Sequence, residues 1–114
     1  MLKKQPEKPW KLVENILIAT AVSKMILKTK HIIINEKGLH ARASAKLVET
    51  VESFDAKANI YKDDLSVSGD SIMGLLMLAA AKGSQIDIET SGPEAKKLSD
   101  AITNLISNRF EEEN

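Results

Sequence analysis

Apolar positions recur along the chain with two different periods. Near the start, Val13, Ile16 and Leu17 lie on one side of a helix running from Trp10 to about Ser23. The residues before it are polar, and Pro6 and Pro9 block regular structure there. From residue 30 the periods are sharper. Lys30–Asn35 is β-branched and apolar and predicts a strand, followed by a turn at Glu36-Lys37-Gly38. A helix then begins near His40, with Ser44, Leu47, Val48 and Val51 at i, i+3, i+4, i+7, and fades at Ser53. Ala56, Ala58 and Ile60 alternate with polar residues in a second strand. Asp63-Asp64 is a turn, and Leu65 and Val67 mark a short third strand. Ser68-Gly69-Asp70 offers N-cap residues to a helix over Ser71–Ala81, rich in Leu, Met and Ala and ended by Gly83. Ile86 and Ile88 alternate with Asp87 and Glu89 in a fourth, half-exposed strand. Gly92-Pro93 opens the last helix with proline in its first turn. Leu98, Ala101, Ile102, Leu105 and Ile106 trace its inner stripe, Arg109 its end, and a short acidic tail follows at Glu111–Glu113.

The order from residue 30 is therefore β-α-β-β-α-β-α. Strands with one apolar face need a cover, and three amphipathic helices supply it on one side. The expected architecture is α+β, a four-stranded antiparallel sheet with helices on one face.

Length and charge narrow the function. A chain of 114 residues makes one domain with a real core. With no cysteine, disulfide scaffolds, zinc-thiolate sites, iron–sulfur clusters and thiol catalysis are excluded, and two histidines argue against a His-rich metal site. The longest uncharged stretch, Ser71 to Ala81, has 11 residues, too short to span a bilayer. The formal charge of +0 is unevenly spread. Residues 1–30 carry +5 and residues 31–114 carry −5. The acidic body is a poor nucleic-acid binder. Residues 1–24 are expected to be an extension, helical or flexible, and 25–114 the functional domain, with Met25 a candidate natural start. A signal peptide is the competing reading of the extension, but Glu14 and Asn15 abut its very short apolar run.

His40 is the most informative residue. It follows a glycine-containing turn at the start of a helix, where free backbone N–H groups and the helix dipole make a site for an anion such as phosphate. A histidine there can offer a ring nitrogen as nucleophile. Arg42 stands in the first turn, where a cation opposes the helix dipole; pairing with a phosphoryl group explains it. The plainer reading makes His40 an imidazole N-cap and Arg42 a solvated charge. His31, inside the first strand, reads as an ordinary strand residue. In the second helix, Leu75 and Leu78 are spaced to face the core, which leaves Ile72, Met73 and Leu76 outside, beside the His40 loop. A helix buried on all sides is the alternative.

Gly38-Leu39-His40-Ala41-Arg42-Ala43-Ser44-Ala45 resembles the active-site segment of HPr, the histidine-containing phosphocarrier family of the bacterial phosphotransferase system. Asp70-Ser71-Ile72-Met73-Gly74 resembles the family's second signature, around a regulatory serine. The two segments are in register and the likeness covers about residues 27–110. It implies the open-faced β-sandwich of HPr. It further implies that His40 accepts a phosphoryl group on Nδ1, that N–H groups near Ala41 and Arg42 cradle it, and that Arg42 neutralises its charge. Ser71 would be the regulatory phosphoserine, and Ile72, Met73 and Leu76 the docking surface. The implied partners are phosphorylated Enzyme I as donor, an EIIA-type acceptor of the sugar or nitrogen-regulatory branch, and an HPr kinase/phosphorylase. The expected protein is a cytoplasmic, monomeric carrier without cofactor or metal, not a free-standing enzyme. The alternative is a regulatory partner-binding domain controlled at serine, with no active relay. Ala43 replaces the family's usual proline and Ser44 its usual alanine, which predicts a slightly looser loop.

Overall fold

Strand β4 (Gln85–Ser91) organises the sheet. Its alternate residues Ile86, Ile88 and Thr90 are buried, and it carries a strand on each side. These come from a computed structural model that describes residues 26–112. The readings of Trp10–Ser23 as a helix or signal peptide, and of Met25 as a start, lie outside the described residues. The elements are β1 (Ile26–Ile32), α1 (Ala41–Glu52), β2 (Lys57–Lys62), β3 (Leu65–Ser68), α2 (Ile72–Met77), β4, α3 (Ala95–Ser107) and a short 3₁₀ turn at Arg109–Glu111. The antiparallel sheet has the order β1-β4-β2-β3. Helices cover one face. Leu47 and Val51 of α1, Leu75 of α2, and Leu98, Ile102 and Ile106 of α3 pack with Ile60, Ile86 and Ile88 of the sheet. The expected α+β order and open-faced layout are both present.

Element boundaries moved where tertiary pairing overruled local preference. The first strand is Ile26–Ile32, not Lys30–Asn35. Its register runs from Ile26 opposite Ser91 to Ile32 opposite Gln85, so β1 stops where β4 begins. Lys28 and Lys30 point out of the covered face, which hides the strand from an apolar pattern. The second helix ends at Met77, not Ala81. Ala79 takes a left-handed backbone (φ 50°), and Ala80 turns its carbonyl to accept the Leu39 N–H at 2.9 Å. Gly83 thus serves the turn into β4 and does not terminate the helix. The N-cap of α2 is Ser71 itself rather than Ser68, Gly69 or Asp70: its hydroxyl accepts the Gly74 N–H at 3.0 Å.

The last helix begins at Ala95, so Pro93 precedes it. The Glu94 carboxylate accepts the Asp55 N–H at 2.7 Å while the Glu94 N–H donates to the Asp55 carbonyl at 3.0 Å, tying the helix start to the loop before β2. Arg109 lies beyond α3, and the buried residue there is Phe110.

Candidate functional site

The approach to His40 is built on a glycine. Gly38 has φ +64°, and a Cβ placed on it would sit 2.5 Å from the Ala80 carbonyl oxygen. This close passage lets the Leu39 N–H reach the same carbonyl, so the loop rests on the segment leaving α2. Leu39 is buried, and His40 follows at the N-cap of α1 with φ −78° and ψ −177°. The imidazole makes no capping hydrogen bond, against the plainer reading. The helix starts with no acid in its first turn, and its opening N–H groups at Ala41 and Arg42 have no intrahelical acceptor.

Ser44, which departs from the family pattern, is fully buried and donates to the Leu39 carbonyl at 3.3 Å. An alanine there makes no such link. This bond works against the loosening expected from the missing proline.

His40 and Arg42 come together in an open cleft of about 220 Å³, lined also by Lys37, Phe110, Glu111 and Glu112. Lys37, Arg42 and the imidazole suit the cleft to an anionic group, with the two acids placed to balance the cations when it is empty. The C-terminal residues were legible only as an acidic tail. In the fold, Arg109, Phe110 and Glu111 all adopt positive φ and turn the chain back over α1. Lys46 binds Glu111 at 2.8 Å, and this hydrogen bond, with Arg42 nearby, holds the Glu111 carboxyl below its usual range against slight burial. Glu112 reaches the His40 ring, with its Oε2 3.7 Å from Nε2. The Asn35 amide donates to the same oxygen at 2.6 Å and the Lys37 N–H donates to Oε1 at 3.2 Å. The Asn35 bond lowers the Glu112 carboxyl most; burial opposes it, and Lys37 and His40 add to it. Neither Asn35 nor Glu112 carried a signal in the sequence.

His31 takes no part in this cleft. It lies in β1 within 2.7 Å of the Thr29 hydroxyl, and burial lowers its pKa despite the nearby Asp87. Ser71 sits at the head of α2. Beyond it Ile72, Met73 and Leu76 are exposed, Met73 at 70%, while Leu75 and Leu78 are buried as their spacing predicted. Met77, not singled out from the sequence, is 72% exposed and extends the same apolar surface. Among the described residues no helix is long and apolar enough to cross a membrane, and no cluster of three or more His, Asp or Glu is placed to hold a metal.

The family model described as PTS HPr component phosphorylation site matches residues 27–108, a span that includes His40, Arg42 and Ser71. The chain belongs to the HPr family. Phosphocarrier protein HPr of Neisseria meningitidis serogroup A is 47% identical over 87 residues, covering 76% of this chain and 98% of the relative. That of Cupriavidus necator is 46% identical over 80 residues, covering 70% and 90%. The solved HPr-C-His of Thermoanaerobacter tengcongensis superposes with a TM-score of 0.73 at 31% identity, covering 77% of this chain and 99% of that one. As an HPr-family chain it is a phosphocarrier of the phosphotransferase system.

Proposed function

We propose that His40 carries the phosphoryl group, taking it from phosphorylated Enzyme I and passing it to an EIIA-type acceptor. The observation that carries this reading is His40 at the open N-terminus of α1, sharing a cleft with Arg42. The Nδ1 lone pair attacks phosphorus in the donor's phosphohistidine. As the new P–N bond forms, the old one breaks and its electron pair returns to the donor ring. The Ala41 and Arg42 N–H groups donate to the phosphoryl oxygens, and the Arg42 guanidinium offsets their charge. Little covalent work falls to the protein, so positioning and electrostatics set the rate. The test is incubation with Enzyme I and phosphoenolpyruvate, with mass measured before and after mild acid. The expected product is an acid-labile phosphoryl group, absent in His40→Ala. Label on His40→Ala would refute the assignment. Offering the charged protein to EIIA proteins of the sugar and the nitrogen-regulatory branch identifies its acceptor.

Ile72, Met73 and Leu76 form the surface on which these partners dock. Support comes from their exposure on α2, whose exit segment, Ala79 to Ala81, lines a second shallow cleft with His40. Ser71 is the site at which an HPr kinase/phosphorylase controls docking. Its oxygen already accepts the Gly74 N–H, and a phosphate ester adds acceptors and charge beside the apolar surface. The functional unit is residues 25–114, acting as a cytoplasmic monomer. Among the described residues, β1 to β4 form a four-stranded sheet covered by α1 to α3, which supports a domain that folds without the extension. Protein lacking residues 1–24 is expected to melt as the full chain does and to take up the same label; an unfolded truncation would move the boundary.

A further inference from the structure

The C-terminal turn has a backbone that local preference does not explain. Arg109, Phe110 and Glu111 have φ of 57°, 53° and 58°, three successive L-residues in the left-handed region. Such a run persists only where its surroundings over-determine it. Phe110 anchors it, 3% exposed in the core, and Lys46 holds Glu111. The result is to bring Glu112 back over the loop that precedes His40.

That loop holds both oxygens of the Glu112 carboxylate. Asn35, itself 1% exposed, gives one amide proton to the Gly38 carbonyl at 2.8 Å and the other to Glu112 Oε2, while Lys37 N–H binds Oε1. The orientation has a cost: the Asn35 Oδ1 is buried with no hydrogen-bond partner. The amide therefore forgoes an acceptor bond to clasp the loop and the carboxylate together. Glu112 is thereby fixed to the segment that fixes His40, with Oε2 3.7 Å from Nε2.

We propose that Glu112 is a positioning residue for His40, its carboxylate holding the ring in the tautomer protonated at Nε2 and so leaving the lone pair on Nδ1. This rests on the reading of His40 as the phosphoryl acceptor at Nδ1. Which imidazole nitrogen keeps the proton is set by the partner of the other. A carboxylate beside Nε2 attracts an Nε2–H and repels an Nε2 lone pair, so the opposite tautomer places like charges together. The separation is slightly longer than a hydrogen bond in the uncharged protein, and such distances tighten as the reacting complex forms. The clasp spans the chain, linking the loop before α1 to the turn after α3.

The test uses the full chain and two variants, E112A and E112Q. Long-range ¹H–¹⁵N NMR of the neutral imidazole reads the tautomer without Enzyme I. The ratio of Nε2–H to Nδ1–H is expected to fall roughly 5-fold in E112A, where the negative charge beside Nε2 is removed. It falls less in E112Q, which keeps one acceptor oxygen but not the charge. Steady-state charging by Enzyme I is expected to fall by up to roughly 5-fold in kcat for E112A with KM unchanged, the limit set by the loss of the reactive tautomer, and E112Q to recover part of it. Equal tautomer ratios and equal kcat in wild type and E112A overturn the proposal; if His40 is still labelled in both, the phosphocarrier reading stands without it. If wild type takes no label, the phosphocarrier reading fails, and the tautomer ratio still decides the role of Glu112.

Discussion

Gly38→Ala tests whether the His40 loop is held by a close backbone approach. Two costs follow from the geometry. At φ +64° an alanine is in the left-handed region, which costs about 1–2 kcal/mol. Its Cβ would meet the Ala80 oxygen at 2.5 Å and the Ala81 Cα at 2.9 Å, both backbone atoms that no rotamer change can move. Relief requires the loop and the Ala80 segment to part, and the 2.9 Å hydrogen bond from the Leu39 N–H is the first to break, at about 0.5–1.5 kcal/mol. The total is roughly 2–3 kcal/mol. For a domain of this size that lowers the melting temperature by roughly 10–20 °C. Gly83→Ala is the control. Gly83 also has positive φ, 91°, but nothing lies within 4 Å of its Cβ position, so only the backbone cost of about 1–2 kcal/mol applies. Thermal melts by circular dichroism measure both. Because Leu39 leads directly into His40, charging by Enzyme I should also slow in Gly38→Ala and not in Gly83→Ala. If the two variants melt within about 2 °C of each other, a difference worth well under 1 kcal/mol, the close approach contributes nothing and the argument for Gly38 fails.

Arg42→Ala should slow phosphoryl passage to and from His40 by about 10-fold, because a charge-assisted bond to the phosphoryl group is removed. Its melting temperature should hold or rise slightly, since the side chain is exposed and opposes the α1 dipole; equal transfer rates in both directions would make Arg42 a surface charge only. Ser71→Ala should lose about 1 kcal/mol with the Gly74 cap, whereas Ser71→Asp keeps an acceptor, melts near wild type and charges more slowly. An Asp variant charged at the wild-type rate, with no kinase-dependent acid-stable phosphate on the native chain, would leave Ser71 a cap alone. The Glu94 carboxyl is held below its usual range chiefly by the Asp55 N–H, against slight burial, with Lys97 adding to the lowering. A carboxyl depressed in the folded state contributes stability above its unfolded value, about 4.3 for a free Glu, and loses it as pH falls through the folded value. Acid melts should therefore show a shallower loss of stability for Glu94→Gln than for wild type below about pH 5, and identical slopes would refute the assignment.

Much of this chain was readable in its sequence because the signals are local. The periods of α1 and α3 and the alternation of Ile86 and Ile88 survive in the fold, since one buried face is enough to set a period. The order of elements follows from them, and the sequence places His40 and Arg42 at one helix start, where the fold lets both line one cleft. What the sequence did not disclose depends on partners far along the chain. The bounds of β1 are set by where β4 runs, not by its own apolar run. Ala79, Ala80 and Ala81, strong helix formers, leave α2 because Ala80 is needed as an acceptor for the His40 loop. Asn35 and Glu112 stand 77 positions apart, and one looked like the end of a strand, the other like part of an acidic tail. Only folding brings them together, because the buried Phe110 turns the chain back and sets a carboxylate beside the imidazole that the sequence had already placed at a helix start.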